Sequence, residues 1–122
     1  MQMGITNGIA VAGTVPISLF PRWNFLLCAV NQLVNHLDKI QTMSKGKMKP
    51  KVIIRTAVGA KAPLDGGVQH TQNHAEAFKN MLTEVDVVLL EEPEQIFPAF
   101  KKAYEGDKSS LIIEYGDYYG QK

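Results

Sequence analysis

The run from Val52 to Phe78 constrains the fold more than any other stretch of this chain. Val52, Ile53 and Ile54 are consecutive apolar residues, the pattern of a strand buried on both faces. A loop from Gly59 to Gly67 follows. Its glycines, Gly59, Gly66 and Gly67, admit positive φ or close backbone approach to a ligand. Beyond Gln69-His70-Thr71-Gln72, Ala75, Phe78 and Leu82 recur at helical spacing, with Thr71 the predicted N-cap. His70 is thereby predicted at the mouth of a helix N-terminus, where the dipole disfavours imidazolium. A neutral histidine in a glycine loop at the carboxyl end of a strand is a candidate catalytic donor or acceptor. The same spacing also describes a loop histidine bonded only to backbone, which is the commoner case.

Strand and helix patterns alternate along the rest of the chain. Gly4 to Ala12 reads as a helix ended by Gly13, and the four-residue spacing of Gly4 and Gly8 predicts tight packing of its backbone. Val15 to Phe20 reads as a strand, with Pro16 tolerated near its start. Pro21-Arg22-Trp23 is a predicted loop, and Asn24 a predicted cap. Leu26, Val30, Leu33, Leu37 and Ile40 then give one amphipathic helix, with Asn31, Asn35, Asp38 and Lys39 on its polar side. Trp23 and Phe25 lie at its start, and pattern alone assigns both to the core. Ser44 to Pro50 is a polar turn. Val85 to Leu90 is a second buried strand, with Asp86 its only polar member. Glu91-Glu92-Pro93 opens a helix with Pro93 near its first position. Ile96, Phe100 and Ala103 form its stripe, and Pro98 kinks it or delays its start. Gly106 and Asp107 end it. Leu111 to Ile113 is the last strand, and Glu114 to Lys122 an aromatic tail. This alternation predicts an α/β fold: one domain over 1–122, with a parallel sheet covered by helices on both faces.

Composition narrows the function. With 122 residues, a net charge of +1 and 45% hydrophobic residues, the chain can bury a core of its own. The neutral balance argues against nucleic acid or an anionic membrane as partner. Lys45, Lys47, Lys49 and Lys51 lack interleaved aromatics and read as a solvated connection. The single cysteine, Cys28, falls in the helical pattern and is expected to be small, buried and reduced, which points to the cytoplasm. No basic segment precedes an apolar run at the start, so no signal peptide is expected. Ile5 to Phe20 is broken by Gly8, Gly13 and Pro16 and is too short to span a bilayer. His36, His70 and His74 do not make a metal set. Cys-x-x-Cys, Walker and Gly-x-Gly-x-x-Gly patterns are all absent.

The order of short motifs carries a resemblance over nearly the whole chain. They are Gly8-Ile9-Ala10-Val11-Ala12-Gly13, Pro16-Ile17, Phe25 to Asn35 with Ala29 and Gln32, Ile54-Arg55, Gly59, Gln69-His70-Thr71-Gln72, Ala75-Glu76-Ala77-Phe78, Val85-Asp86-Val87-Val88, Pro93 and Ile113-Glu114-Tyr115. In this order the chain resembles the pyrimidine-binding domain of thiamine-diphosphate enzymes: the transketolase central domain and the beta subunit of 2-oxo acid dehydrogenases. The resemblance implies that Phe25 stacks on the cofactor's aminopyrimidine, that Trp23 lines the same pocket, and that His70 acts on protons or the bound intermediate. It gives Arg55 and Gly59 structural roles. The family's activating glutamate precedes the glycine-rich first helix, in a segment that would lie before Met1. Leu19 stands where many beta subunits carry glutamate, and the loop from Gly59 to His70 is slightly longer than theirs. Diphosphate and magnesium belong to a separate domain. The resemblance therefore implies an N-terminally truncated domain, inactive alone, that meets a diphosphate-binding domain or subunit in a homo- or hetero-oligomer. The competing expectation is a non-catalytic dimerisation or assembly module of the same fold.

Overall fold

The computed structural model describes residues 1–120. The last two residues of the predicted aromatic tail lie outside the described range. Four strands, β1 (Ile17–Leu19), β2 (Ile53–Val58), β3 (Val85–Leu89) and β4 (Ser109–Tyr115), form one sheet. Every pairing is parallel, in the spatial order β1-β2-β4-β3. The helices are α1 (Gln2–Val11), α2 (Trp23–Leu27), α3 (Asp38–Met43), α4 (Ala75–Met81) and α5 (Ile96–Glu105). The α/β class and the parallel sheet are as expected. β2 and β4 run longer than their apolar cores, and Arg55 and Glu114 bond to each other across them.

The register sorts side chains onto two faces. Ile54 is aligned with Leu111 and Thr56 with Ile113. On this face Ile54, Val58, Leu111 and Ile113 pack with Trp23, Leu26, Leu33 and Phe78, from the helical segments before β2 and after it. Ile53 and Ile112 point the other way and pack with Ala103 and Phe100 of α5. Each such fully buried aliphatic side chain contributes roughly 1.5–3 kcal/mol. That second face is not covered at the β1 edge, where Ile17 is 62% and Leu19 51% exposed. No helix among the described residues is long and apolar enough to cross a membrane.

Local details depart from the sequence pattern for identifiable reasons. The single helix expected from Leu26 to Ile40 is broken after Leu27, and Gln32–Leu37 is π-helical. Each π turn takes in one residue more than an α turn. Leu37 and Asp38 are therefore both buried, and Asp38 is not on the polar side. Its Oδ1 accepts from the backbone N–H groups of Thr83, Glu84 and Val85 at 2.9, 2.7 and 3.2 Å. Its Oδ2 accepts from Lys39 Nζ at 2.7 Å and Thr83 Oγ1 at 3.0 Å. Burial pushes the Asp38 carboxyl up, but these bonds, from Lys39 first, outweigh it and leave the group below its ordinary value.

Cys28, just past the end of α2, is exposed rather than buried. Gly13 does follow α1 with φ 100°, a conformation that favours glycine. The tight packing expected at Gly8 is missing, since nothing lies within 4 Å of where a β-carbon would stand. α4 starts four residues beyond Thr71. Asn73 Oδ1 takes the Ala75 N–H at 3.0 Å, while Thr71 Oγ1 donates to the Gly67 carbonyl. Pro98 does delay its helix. A 3-10 turn at Pro93–Gln95, closed by a Glu92–Gln95 capping box, precedes α5. Pro98 then sits in the first turn of α5, where no N–H is needed.

Candidate functional site

The carboxyl ends of β1, β2 and β4 open onto one crevice of about 270 Å³. Three segments build it. After β1 the chain runs through Phe20 and Pro21 to Arg22, which precedes α2. After β2 it turns at Gly59, and after β4 at Gly116. Arg22, Phe25, Ala57, Gly59, Gly116 and Tyr119 are among its walls.

The glycine loop is tied back onto β2. The Gly59 N–H donates to the His70 carbonyl at 2.9 Å, and the His70 N–H donates to the Gly67 carbonyl at 2.9 Å. A β-carbon on Gly59 would run into that His70 carbonyl oxygen, so only glycine allows the approach. The loop holds the imidazole with Nδ1 3.3 Å from Asn24 Oδ1. An amide oxygen only accepts, so this contact calls for the proton on Nδ1 and leaves Nε2 as the acceptor. The His70 ring centroid lies 6.4 Å from that of Phe25, tilted by 38°. These two rings, far apart in sequence, share one end of the sheet. Phe25 is 47% exposed, which leaves its ring open to a flat partner.

His70 is not at a helix mouth, because α4 begins only at Ala75. The residue at that terminus is His74, whose ring sits edge-on to Trp23 with centroids 5.6 Å apart. Trp23 is fully buried and packs on Phe78 at 4.9 Å, so in this structure it is core and not a wall of the crevice. Its size and apolar surface favour that interior position.

Beside the crevice, Arg55 holds Glu114 bidentately, Nε to Oε1 and Nη2 to Oε2, both at 2.7 Å. The Tyr119 hydroxyl donates to Glu114 Oε2 at 2.6 Å. Burial raises the Glu114 carboxyl, but the bonds from Arg55 and Tyr119 outweigh it and leave it below its ordinary value. Burial, followed by the bond to this carboxylate, pushes the Tyr119 phenol up to about 12. Glu114 is thus saturated by its own neighbours, and none of the crevice walls carries a free carboxylate.

Sequence reasoning missed Arg22 and Asn24 as site residues and read them as loop and cap. Their signal was their position, directly after a strand in a parallel sheet, where loops at the carboxyl end form sites. Together the groups can hold a planar ring against Phe25, move a proton at His70 Nε2 and attract negative charge at Arg22.

No family model matches the chain. Curated relatives do. The chain is 30% identical over 118 residues to the mitochondrial pyruvate dehydrogenase E1 component subunit beta of Caenorhabditis elegans, covering 97% of this chain and 33% of that protein. It is 31% identical over 117 residues to the mitochondrial subunit of Rattus norvegicus, covering 96% and 32%. It is 29% identical over 118 residues to the subunit of Rhizobium meliloti, covering 97% and 25%. The chain spans about a quarter to a third of the length of these relatives. Over nearly all of its own length, then, this protein is a distant homologue of pyruvate dehydrogenase E1 beta subunits.

Proposed function

We propose that this chain contributes the aminopyrimidine side of a thiamine-diphosphate site in an enzyme of the 2-oxo acid dehydrogenase or transketolase type, and is inactive alone. The observation that carries this reading is the meeting of an exposed Phe25 ring and the His70 imidazole at the carboxyl end of a parallel sheet. Those residues fit half of such a site. Phe25 offers a stacking surface, and His70 a donor–acceptor held by Asn24. The groups that bind diphosphate and magnesium are assigned to a partner domain or subunit, and the activating carboxylate to the segment that precedes the glycine-rich first helix in the family. When bound, the cofactor supplies a stabilised carbanion for cleaving a bond next to a carbonyl. The chain's own residues position the ring and handle a proton. The proposed location remains the cytoplasm, supported only by the lone free cysteine.

Isothermal titration with thiamine diphosphate and magnesium, alone and with a diphosphate-binding partner subunit, tests the reading. Cofactor binding is expected only in the mixture. Phe25→Ala is expected to weaken cofactor affinity roughly three- to tenfold, from the usual worth of an aromatic pair. Turnover by the isolated chain, or unchanged affinity in Phe25→Ala, ends the proposal.

A second reading is favoured by one observation. Ile17 and Leu19 on the open face, with Ile5 and Ile9 on α1, leave apolar surface uncovered. A non-catalytic dimerisation module would bury it. Size exclusion with light scattering distinguishes the two: a stable homodimer indifferent to the cofactor favours assembly.

A further inference from the structure

Arg22 is a cation with no ion-pair partner among the described residues. It is half-buried, and its stem lies along Gly59, where a β-carbon would come within 3.3 Å of its Cδ. Its guanidinium flanks Gly66, with Nη1 3.2 Å from the β-carbon position. The His70 side chain flanks the same glycine, with Cβ at 3.0 Å and Cγ at 3.3 Å. Arginine and histidine therefore both crowd the place where a side chain on Gly66 would stand.

Among the described residues, no carboxylate forms an ion pair with Arg22. Arg55, on the neighbouring strand, is fully engaged by Glu114. Arg22 has five N–H donors in a planar fork, and no side-chain bond among the described residues uses them. Its nitrogens are not among the buried unpartnered polar atoms, so they remain accessible from the crevice. The acid of the glycine loop, Asp65, is exposed and takes the Gly67 N–H at 2.7 Å. The other walls are apolar or already paired: Phe25, Ala57, and Tyr119 with its hydroxyl on Glu114. A cation in a partly dry recess without a counter-charge is costly, and an anion seated there relieves that cost.

We propose that Arg22 anchors an oxyanion-binding subsite in this crevice. It takes the carboxylate of a small organic acid, or a phosphate group, through its planar fork. Phe25 lies against the rest of the ligand, and the His70 imidazole is beside it. The subsite rests on the surroundings of Arg22 and does not require that the chain use a thiamine-derived cofactor.

The test titrates the full chain with pyruvate and, separately, with inorganic phosphate. Side-chain NMR signals of Arg22 Nε and the His70 ring are followed. A saturable shift at Arg22 with at least one anion is expected, and the tighter of the two names the group recognised. Arg22→Met, which keeps the stem along Gly59, is expected to lose at least about tenfold in affinity. Arg22→Lys should fall between, since it keeps charge but not the fork. The absence of any saturable shift in the native chain overturns the proposal without recourse to a variant. Unchanged affinity in a folded Arg22→Met overturns it equally.

Discussion

Asp38 and Arg22 are both charged and placed at opposite ends of the sheet, the first fully buried and the second half-buried. Asp38, beside the start of β3, accepts three backbone N–H groups, a hydroxyl and an ammonium. Arg22, beyond the end of β1, forms no ion pair among the described residues. The amino end is closed by its own chain, and its charge fastens the segment after α4 to α3. The carboxyl end keeps a cation and an aromatic ring on an open crevice, with an imidazole beside them. Satisfaction of a charge separates framework from site more sharply than burial does.

The largest test of this contrast is Asp38→Ala. It strands three backbone donors and should cost about 3 kcal/mol, read as a lower urea midpoint at unchanged slope. Gly59→Ala comes next. The loop must shift away from β2, at about 1–3 kcal/mol, and the His70 ring signals should move with it. Glu114→Gln breaks the paired fork but leaves Arg55 partly solvated, so about 1–2 kcal/mol is expected in the same assay. Arg22→Met should change stability by less than about 0.5 kcal/mol. A loss there as large as at Asp38 would erase the distinction between the two ends.

Acid sharpens the comparison. Both Asp38 and Glu114 have folded-state values below their ordinary ones. Their contribution is fully present above the unfolded carboxylate values near 4, and it is lost as pH falls through the lower folded values. Native protein should therefore lose stability below about pH 4. A variant with both Asp38→Ala and Glu114→Gln should show a flatter acid limb. The Arg22→Met variant should follow the native curve.

The architecture was legible because apolar runs and helical spacings alternate, and parallel pairing follows from that alternation. Phe25 and His70 were legible as candidates from motif order, and the sheet brings their rings to one place. Asp38 was hidden because a π segment shifts the helical register, which a 3.6-residue wheel does not register. Thr71 outranked Asn73 as a cap because propensity does not say which of several polar residues folds back on the first turn. Arg22 was hidden because a single arginine in a loop carries no pattern. Only its neighbours, two glycines and a histidine brought in from the other side of β2, give it meaning.

The π segment at Gln32–Leu37 has a further consequence. Winding those six residues as ordinary α-helix, with none removed, would swing everything C-terminal to them by about 100°. Asp38 would turn out to solvent, and the amides ahead of β3 would lose their anionic acceptor. Loss of one residue inside the π segment would cancel that swing and keep Asp38 on its amides, whereas a further insertion would not; in the lysine-rich turn that follows, the chain can gain or lose a residue without rotating anything it must hold.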